Sequence, residues 1–546
     1  MNLFPKPPYL YPRMKKKLLF ILVLGMVLTG CFVSTFDKGW NIEWSEKEEQ
    51  HKEVFLSSIS NVQNLDRPNV ILIMADDLGK YEVSAYGAED IETPHIDAIG
   101  EGGIRFQDAY VTAPICAPSR ASILTGRYQQ RYGFETQPME FYPTNKLEYG
   151  LGKKSKLGDW KVIADPSFPT PWAVERQGIP PGEINMAELF QAAGYTTAIV
   201  GKWHLGHGEE HVPNSRGFDY QYGFYGAFSL YTPEQNTLGY VNFIQDDLSS
   251  RHQWNMKRNE NAAIRENDQV VKENDYLTFA LKDRAKEFIT KNKDENFFLY
   301  LSFNAPHVPF QAPDSYYDQF AHIKDNNRRV YLAMIKALDD AIGDFMNHLK
   351  DEGLNENTIV YFISDNGGAS YTGATNNGPL KGGKITHFEG GLNVPFMMQW
   401  KGKIPDGSIY QNPVSSMDIF TTSLNACGIP LPNDRTIDGK DLMQYINRLN
   451  VEEPHERLYW RTDHIRAIRY SKWKLILSTR DNWLHLYNLE NDKSEKIDLS
   501  TLKADEKAKL LQFFDEWNEE LPQEYLWPRI MDRRFVLGDK TYYFPA

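Results

Sequence analysis

Several runs of apolar residues lack the alternation of a half-exposed strand: 69–74, 195–200, 297–303, 358–363 and 394–400. Continuous runs of this length mark strands buried on both faces. Between them apolar positions recur at helical spacing. They predict a short helix over 187–193 that Gly194 stops, a helix over 276–290 and a long one over 330–349. Thr93 as N-cap with Pro94 at the first helical position starts a further helix toward Ile99. Strands alternating with helices predict an α/β domain whose mostly parallel sheet lies between helices. After about residue 449 the pattern changes. Short strands are predicted at 457–460, 465–470, 473–478 and 485–488, then a helix over 504–519, so a smaller antiparallel sheet with a helix is expected for 450–546. The weakly periodic stretch 128–183, rich in Tyr, Pro, Gly and Lys, reads as a surface excursion near a site.

With 546 residues and 41% hydrophobic residues the chain can bury a large core. The net charge of −13 argues against a general nucleic-acid surface, so an anionic substrate would need a locally basic site. Lys15-Lys16-Lys17 followed by the apolar run 18–28 reads as an export signal. Leu28-Thr29-Gly30-Cys31 resembles a bacterial lipobox, which makes residues 1–31 a leader and Cys31 the lipidated first residue of an exported, membrane-anchored protein, periplasmic or at the cell surface. Residues 32–67 read as a tether and 68–449 as the catalytic domain. Cys116 and Cys427 alone remain beyond the leader, so there is no disulfide framework to read.

In open α/β sheets the ligand crevice lies beyond the carboxyl ends of the strands. Four runs end there in reactive residues: Asp76-Asp77, Lys202 with His204, His307, and Asp365-Asn366. Adjacent carboxylates past a buried strand are costly unless a cation or donors are present. Asp76, Asp77, Asp365 and the amide oxygen of Asn366 make an all-oxygen donor set. It favours one hard divalent cation, Ca²⁺ ahead of Mg²⁺, over zinc. Lys202, Lys384, Arg120, His204 and His307 supply a positive field suited to a tetrahedral anion.

The segment Cys116-Ala117-Pro118-Ser119-Arg120, continuing as Ala121-Ser122-Ile123-Leu124-Thr125-Gly126-Arg127, resembles the signature of the type I sulfatases. The resemblance runs from about Pro68 to the C-terminal sheet and implies an alkaline-phosphatase-like fold. It implies that Cys116 is oxidised to formylglycine by a maturation enzyme and serves as nucleophile facing the cation held by Asp76, Asp77, Asp365 and Asn366. Arg120, Lys202, His204, His307 and Lys384 correspond to the family's other catalytic groups; the Gly-Gly-Lys-x-x-x-x-Glu-Gly-Gly context favours Lys384 over Lys381. By analogy a hydroxyl of the hydrated aldehyde attacks sulfur, His307 protonates the leaving alcohol, and His204 deprotonates the second hydroxyl so that sulfate is expelled.

The resemblance thus implies a sulfuric ester hydrolase. Its expected substrate is a sulfated oligo- or polysaccharide, algal (ulvan, carrageenan or fucoidan) or a host glycosaminoglycan. A phosphodiesterase or phosphonate hydrolase on the same scaffold would need more His and Asp ligands than these motifs offer. A non-catalytic glycan-binding lipoprotein would need neither Cys116 nor the paired carboxylates. For sugar recognition, Arg461, Asp463 and His464, in a predicted turn of the C-terminal sheet, are expected to reach over the cleft.

Overall fold

The computed structural model describes residues 40–59, 67–139, 159–162, 169–233, 238–243, 253–447, 452–529 and 531–546. The leader with Cys31 and the expected domain boundary at 449/450 lie outside these residues. No helix among the described residues is long and apolar enough to cross a membrane.

A ten-stranded sheet forms the centre. Asn69–Ala75 lies between Thr358–Ser364 and Phe297–Ser302, with Thr196–Lys202 and Tyr220–Phe224 beyond the latter, all parallel. The four inner strands of this set end nearly level, since Ala75 pairs with Ser364, Met74 with Ser302, and Ser302 with Gly201. The residues that follow them therefore emerge along one edge.

The pleat sends alternate residues of each strand to opposite faces. Ile71 and Ile73 pack into the core beneath Leu277–Lys291 and Asn326–Asp351, through Leu281, Leu338 and Ile342. Val70, Leu72 and Met74 join the opposite core with Ile123, Leu124 and Phe420. Both faces are covered, hence the continuous apolar runs; each fully buried Ile or Leu contributes about 1.5–3 kcal/mol.

One inner strand departs from expectation. Phe396–Trp400 pairs antiparallel to Thr358–Ser364. The chain between them has only short helical turns, so no crossover helix carries it back to make a parallel pair.

The segment expected as a tether contains a helix, Glu46–Ser58, capped by the Ser45 hydroxyl accepting from Glu48 N at 3.3 Å. Lys52 docks it, donating to the Pro181 carbonyl (2.7 Å) and to Glu188 (2.6 Å). None of its residues is fully buried, so there was no apolar period to read. Glu188 also completes a capping box with Asn185 at the start of Met186–Ala192.

The C-terminal unit has the expected form. Arg457–Thr462, Ile465–Tyr470, Trp473–Ser478 and Trp483–Asn488 make an antiparallel sheet, covered by Ala504–Glu519 through Leu510, Phe514 and Trp517. A second small sheet was not foreseen. The hairpin Met531–Leu537 and Lys540–Pro545 takes Trp160–Val162, from the excursion, as its third strand.

Candidate active site

Cys116 opens the helix Cys116–Thr125, after Ile115 in an extended conformation. Gly126 ends that helix with φ of 66°, where any Cβ would lie 2.4 Å from the Phe420 ring. The helix aims Cys116 at the ends of the parallel strands. The thiol lies 3.5 Å from Asp76 Oδ1, 3.9 Å from Asp77 Oδ1 and 3.1 Å from Lys384 Nζ. Solvent does not reach it. Burial pushes the thiol well up, so an unmodified Cys116 stays protonated and is a poor nucleophile here.

Around it three carboxylates face three cations. Lys202 pairs with Asp76 at 2.7 Å and Lys384 with Asp77 at 2.8 Å. Arg120 donates through Nε to Asp365 Oδ2 at 2.8 Å and through Nη1 to Ser302 Oγ at 2.6 Å, with the Tyr300 hydroxyl 3.3 Å away. Burial works to raise the Asp77 carboxyl, but Lys384 and His307 beside it hold it below the usual carboxylate range. Burial likewise opposes the charge on Lys384, and Asp77 more than compensates.

His307 Nδ1–H donates to the Val308 carbonyl, which leaves Nε2 facing the cluster, 3.6 Å from Asp77 Oδ2. Burial, then Lys384, lowers its pKa to about 3. His204 is also neutral, through burial and the charges of Lys202 and Arg120. Its Nδ1 is buried without a hydrogen-bond partner among the described residues. Asp77 and His204 both adopt left-handed backbone, φ 63° and 60°. Uncommon conformations of this kind cluster at functional sites.

The donor chemistry fits a divalent cation. Asp76, Asp77, Cys116 and His307 offer ligand atoms within 4.8 Å of one another. Asn366 donates its amide to Asp77 Oδ1 (2.7 Å), while its Oδ1 is buried with no partner among the described residues. A buried orphan oxygen beside two carboxylates is what a hard cation would satisfy. Three anions and three cations already balance. A bound dication would make the pocket doubly positive and suited to a sulfate group.

The sulfatase family model matches residues 68–429. The chain belongs to the sulfatase family. It is 31% identical to the N-acetylgalactosamine-6-sulfatase of Canis lupus familiaris over 420 residues, 76% of this chain and 72% of that one. To the steryl-sulfatase of Homo sapiens it is 30% identical over 483 residues, 76% of each chain. The crystal structure of Ps i-CgsB in complex with k-i-k-neocarrahexaose is 32% identical, with a TM-score of 0.69, covering 84% of this chain and 95% of that one. The PsFucS1 sulfatase from Pseudoalteromonas sp., at 23% identity and a TM-score of 0.64 over 89% and 96%, shares the fold. This sulfatase is a sulfuric ester hydrolase with the alkaline-phosphatase-like architecture.

The structure brings Asp76, Asp77, Cys116, Arg120, Lys202, His204, His307, Asp365, Asn366 and Lys384 together at the ends of the parallel strands. Lys381 points elsewhere, lying 4.1 Å from the Phe388 ring centre and 3.2 Å from the Tyr487 hydroxyl. Tyr300 and Ser302, which hold Arg120, were missed. They sit two apart on one face of a buried strand, and polar atoms there were the available signal.

The expected sugar contacts correct differently. Arg461 belongs to a strand, and its guanidinium is turned inward onto Glu135 (2.9 Å), Asn518 (2.8 Å) and the Pro522 carbonyl (2.8 Å). Asp463 pairs with Arg529, and His464 Nδ1 meets Ser478 Oγ at 2.8 Å. All three stabilise the C-terminal unit, because the segment 518–529 covers the turn. Arg461→Ala is therefore expected to destabilise the protein by about 3 kcal/mol in urea unfolding, the penalty for leaving a buried carboxylate unpaired. Its activity per folded molecule should stay near wild type on aryl sulfate and polysaccharide alike.

Proposed function

We propose that this enzyme removes sulfate from a sulfated carbohydrate, using a formylglycine made from Cys116 and one Ca²⁺. The observation that carries the reading is the placement of Cys116 at a helix start, enclosed by Asp76, Asp77 and Lys384. A thiol whose proton is held this firmly is unsuited to the reaction as it stands; oxidation to an aldehyde, whose hydrate has two hydroxyls, removes that obstacle. Support for a carbohydrate comes from Ps i-CgsB, crystallised with a neocarrahexaose, and from the N-acetylgalactosamine-6-sulfatases. A carrageenan-type oligosaccharide is the substrate we favour.

Asp76, Asp77, Asp365 and Asn366 would hold the cation, which would polarise the sulfate oxygens and favour ionisation of the nucleophile. Lys384 and Lys202 would bind the sulfate oxygens and stabilise charge gathering on them during transfer. Arg120, braced by Ser302 and Tyr300, fixes Asp365. His307, with Nε2 facing the cluster, is placed to protonate the leaving alcohol. His204, with its open Nδ1, is placed to accept the proton of the second hydroxyl. Export through the 1–31 leader, lipidation at Cys31 and a formylglycine-generating partner complete the proposal.

Intact-mass analysis of the Cys116 peptide, with desulfation of carrageenan, fucoidan and glycosaminoglycan oligosaccharides, tests it. An aldehyde mass and sulfate release from one panel member are expected. A fully unmodified thiol in active enzyme would refute the formylglycine route.

A further inference from the structure

Outside the reacting groups, a buried charge cluster joins the C-terminal sheet to the loop that carries Lys384. Glu389 Oε1 accepts from Lys474 Nζ at 2.8 Å, and its Oε2 accepts from the Tyr110 hydroxyl, also at 2.8 Å. Its backbone N–H donates to Glu495 Oε2 at 2.7 Å, while Glu495 Oε1 lies 3.0 Å from Lys474. Glu389, Lys474 and Glu495 are 2%, 0% and 0% exposed, so this is an internal charged knot. Burial acts to raise both carboxyls; Lys474 and Arg469 hold Glu389 below the usual range, while Glu495 is left at about 7.

What the knot secures is the 381–391 loop. Gly390 N–H bonds back to the Lys381 carbonyl at 2.8 Å, closing the loop on itself just after Glu389. Inside it, Lys384 N–H donates to the Gly368 carbonyl (3.0 Å) and Ile385 N–H to the Pro114 carbonyl (2.7 Å), two residues before Cys116. Gly367 packs so tightly on it that a Cβ would sit 1.7 Å from the Gly390 carbonyl oxygen. Tyr110 belongs to the segment that leads into Cys116. Glu389 thus connects three things: the strand before the nucleophile, the lysine that touches it, and the C-terminal sheet.

We propose that Lys474 and Glu495 are positioning residues for sulfate transfer, holding Glu389 and through it the loop that sets Lys384 against position 116. This rests on the reading of Lys384 as a sulfate-binding group. The C-terminal sheet then serves the reaction from behind the pocket, without touching substrate.

Two variants test it: Lys474→Met, and Lys474→Met/Glu495→Gln, which also removes the carboxyl that Lys474 faces and so keeps a folded protein to measure if the single variant does not fold. For each, kcat and KM are measured on a small aryl sulfate. Affinity for inorganic sulfate is measured by calorimetry, with Lys384 intact and in a Lys384→Ala background. We expect kcat to fall about 10²-fold, the scale of a small misplacement at a reacting centre. Sulfate should bind about tenfold more weakly while Lys384 is present, and no more weakly than in Lys384→Ala alone once it is absent. A general loss of packing would weaken binding in both backgrounds, and that outcome overturns the inference. So does a folded double variant with kcat and sulfate affinity within about twofold of wild type, while Lys384→Ala remains impaired. Wild-type behaviour from Lys384→Ala itself overturns the sulfate-site reading, and this inference with it.

Discussion

Cys116→Ala is expected to abolish turnover of an aryl sulfate, a fall of about 10⁴-fold or more, on the scale seen when a nucleophile is removed from an enzyme. Stability should change little. The thiol's close neighbours are already paired, Asp76 with Lys202 and Asp77 with Lys384. The thermal midpoint should therefore stay close to that of wild type. Cys116→Ser tests a finer point. A serine hydroxyl can attack sulfur once, but a simple sulfate ester has no second hydroxyl whose deprotonation expels the sulfate. That variant should at most complete a single turnover. Multiple turnover by Cys116→Ala, measured as sulfate released per folded enzyme, would show that position 116 does not supply the nucleophile; multiple turnover by Cys116→Ser would show that sulfate leaves without a second hydroxyl.

Removing the cation should have the next largest effect. Dialysis against a chelator is expected to abolish activity and lower the melting temperature, and Ca²⁺ should restore both. A ligand bound only by the folded state stabilises it by about 2.7 kcal/mol at a hundred times its dissociation constant. Asp77→Asn should remove the Ca²⁺-dependent shift. It should also weaken the metal-free protein, because Lys384, almost fully buried, loses its carboxylate partner. The diagnostic quantity is thus the difference between melts with and without Ca²⁺, not either melt alone. An equal Ca²⁺ shift in wild type and Asp77→Asn would place the ion elsewhere, and full activity in chelator would exclude its role.

Most of the pocket was legible because its parts lie at the ends of uninterrupted apolar runs. Asp76, Lys202 and Asp365 each end or follow a strand whose burial on both faces requires such a run. The motif around Cys116 then implied a role for each group. Elements held by polar contacts were harder to read. The helix Glu46–Ser58 docks through Lys52 and has no fully buried residue, Phe55 and Leu56 being only partly buried, so its sequence resembles a solvated tether. Arg461 looked like a free charge in a turn because its partner, Glu135, lies more than 300 positions away. No local pattern reports such a pair. Ser302 and Tyr300 were hidden for the opposite reason: inside an apolar strand they read as ordinary core positions.

The small sheet that pairs Trp160–Val162 with residues 531–545 bears on when the pocket can close. Phe544 stacks on His387, with ring centres 6.2 Å apart, and packs edge-on against Phe388, directly behind the loop of Lys384. That support does not exist until the ribosome has passed residue 544. At about 5–20 residues per second, the interval after synthesis of Cys116 lasts roughly 20–90 s. A modifying enzyme cannot reach the fully buried side chain in the finished fold. The modifying enzyme proposed above would therefore have to act before this last pairing forms, and the long sequence separation of its strands delays that pairing.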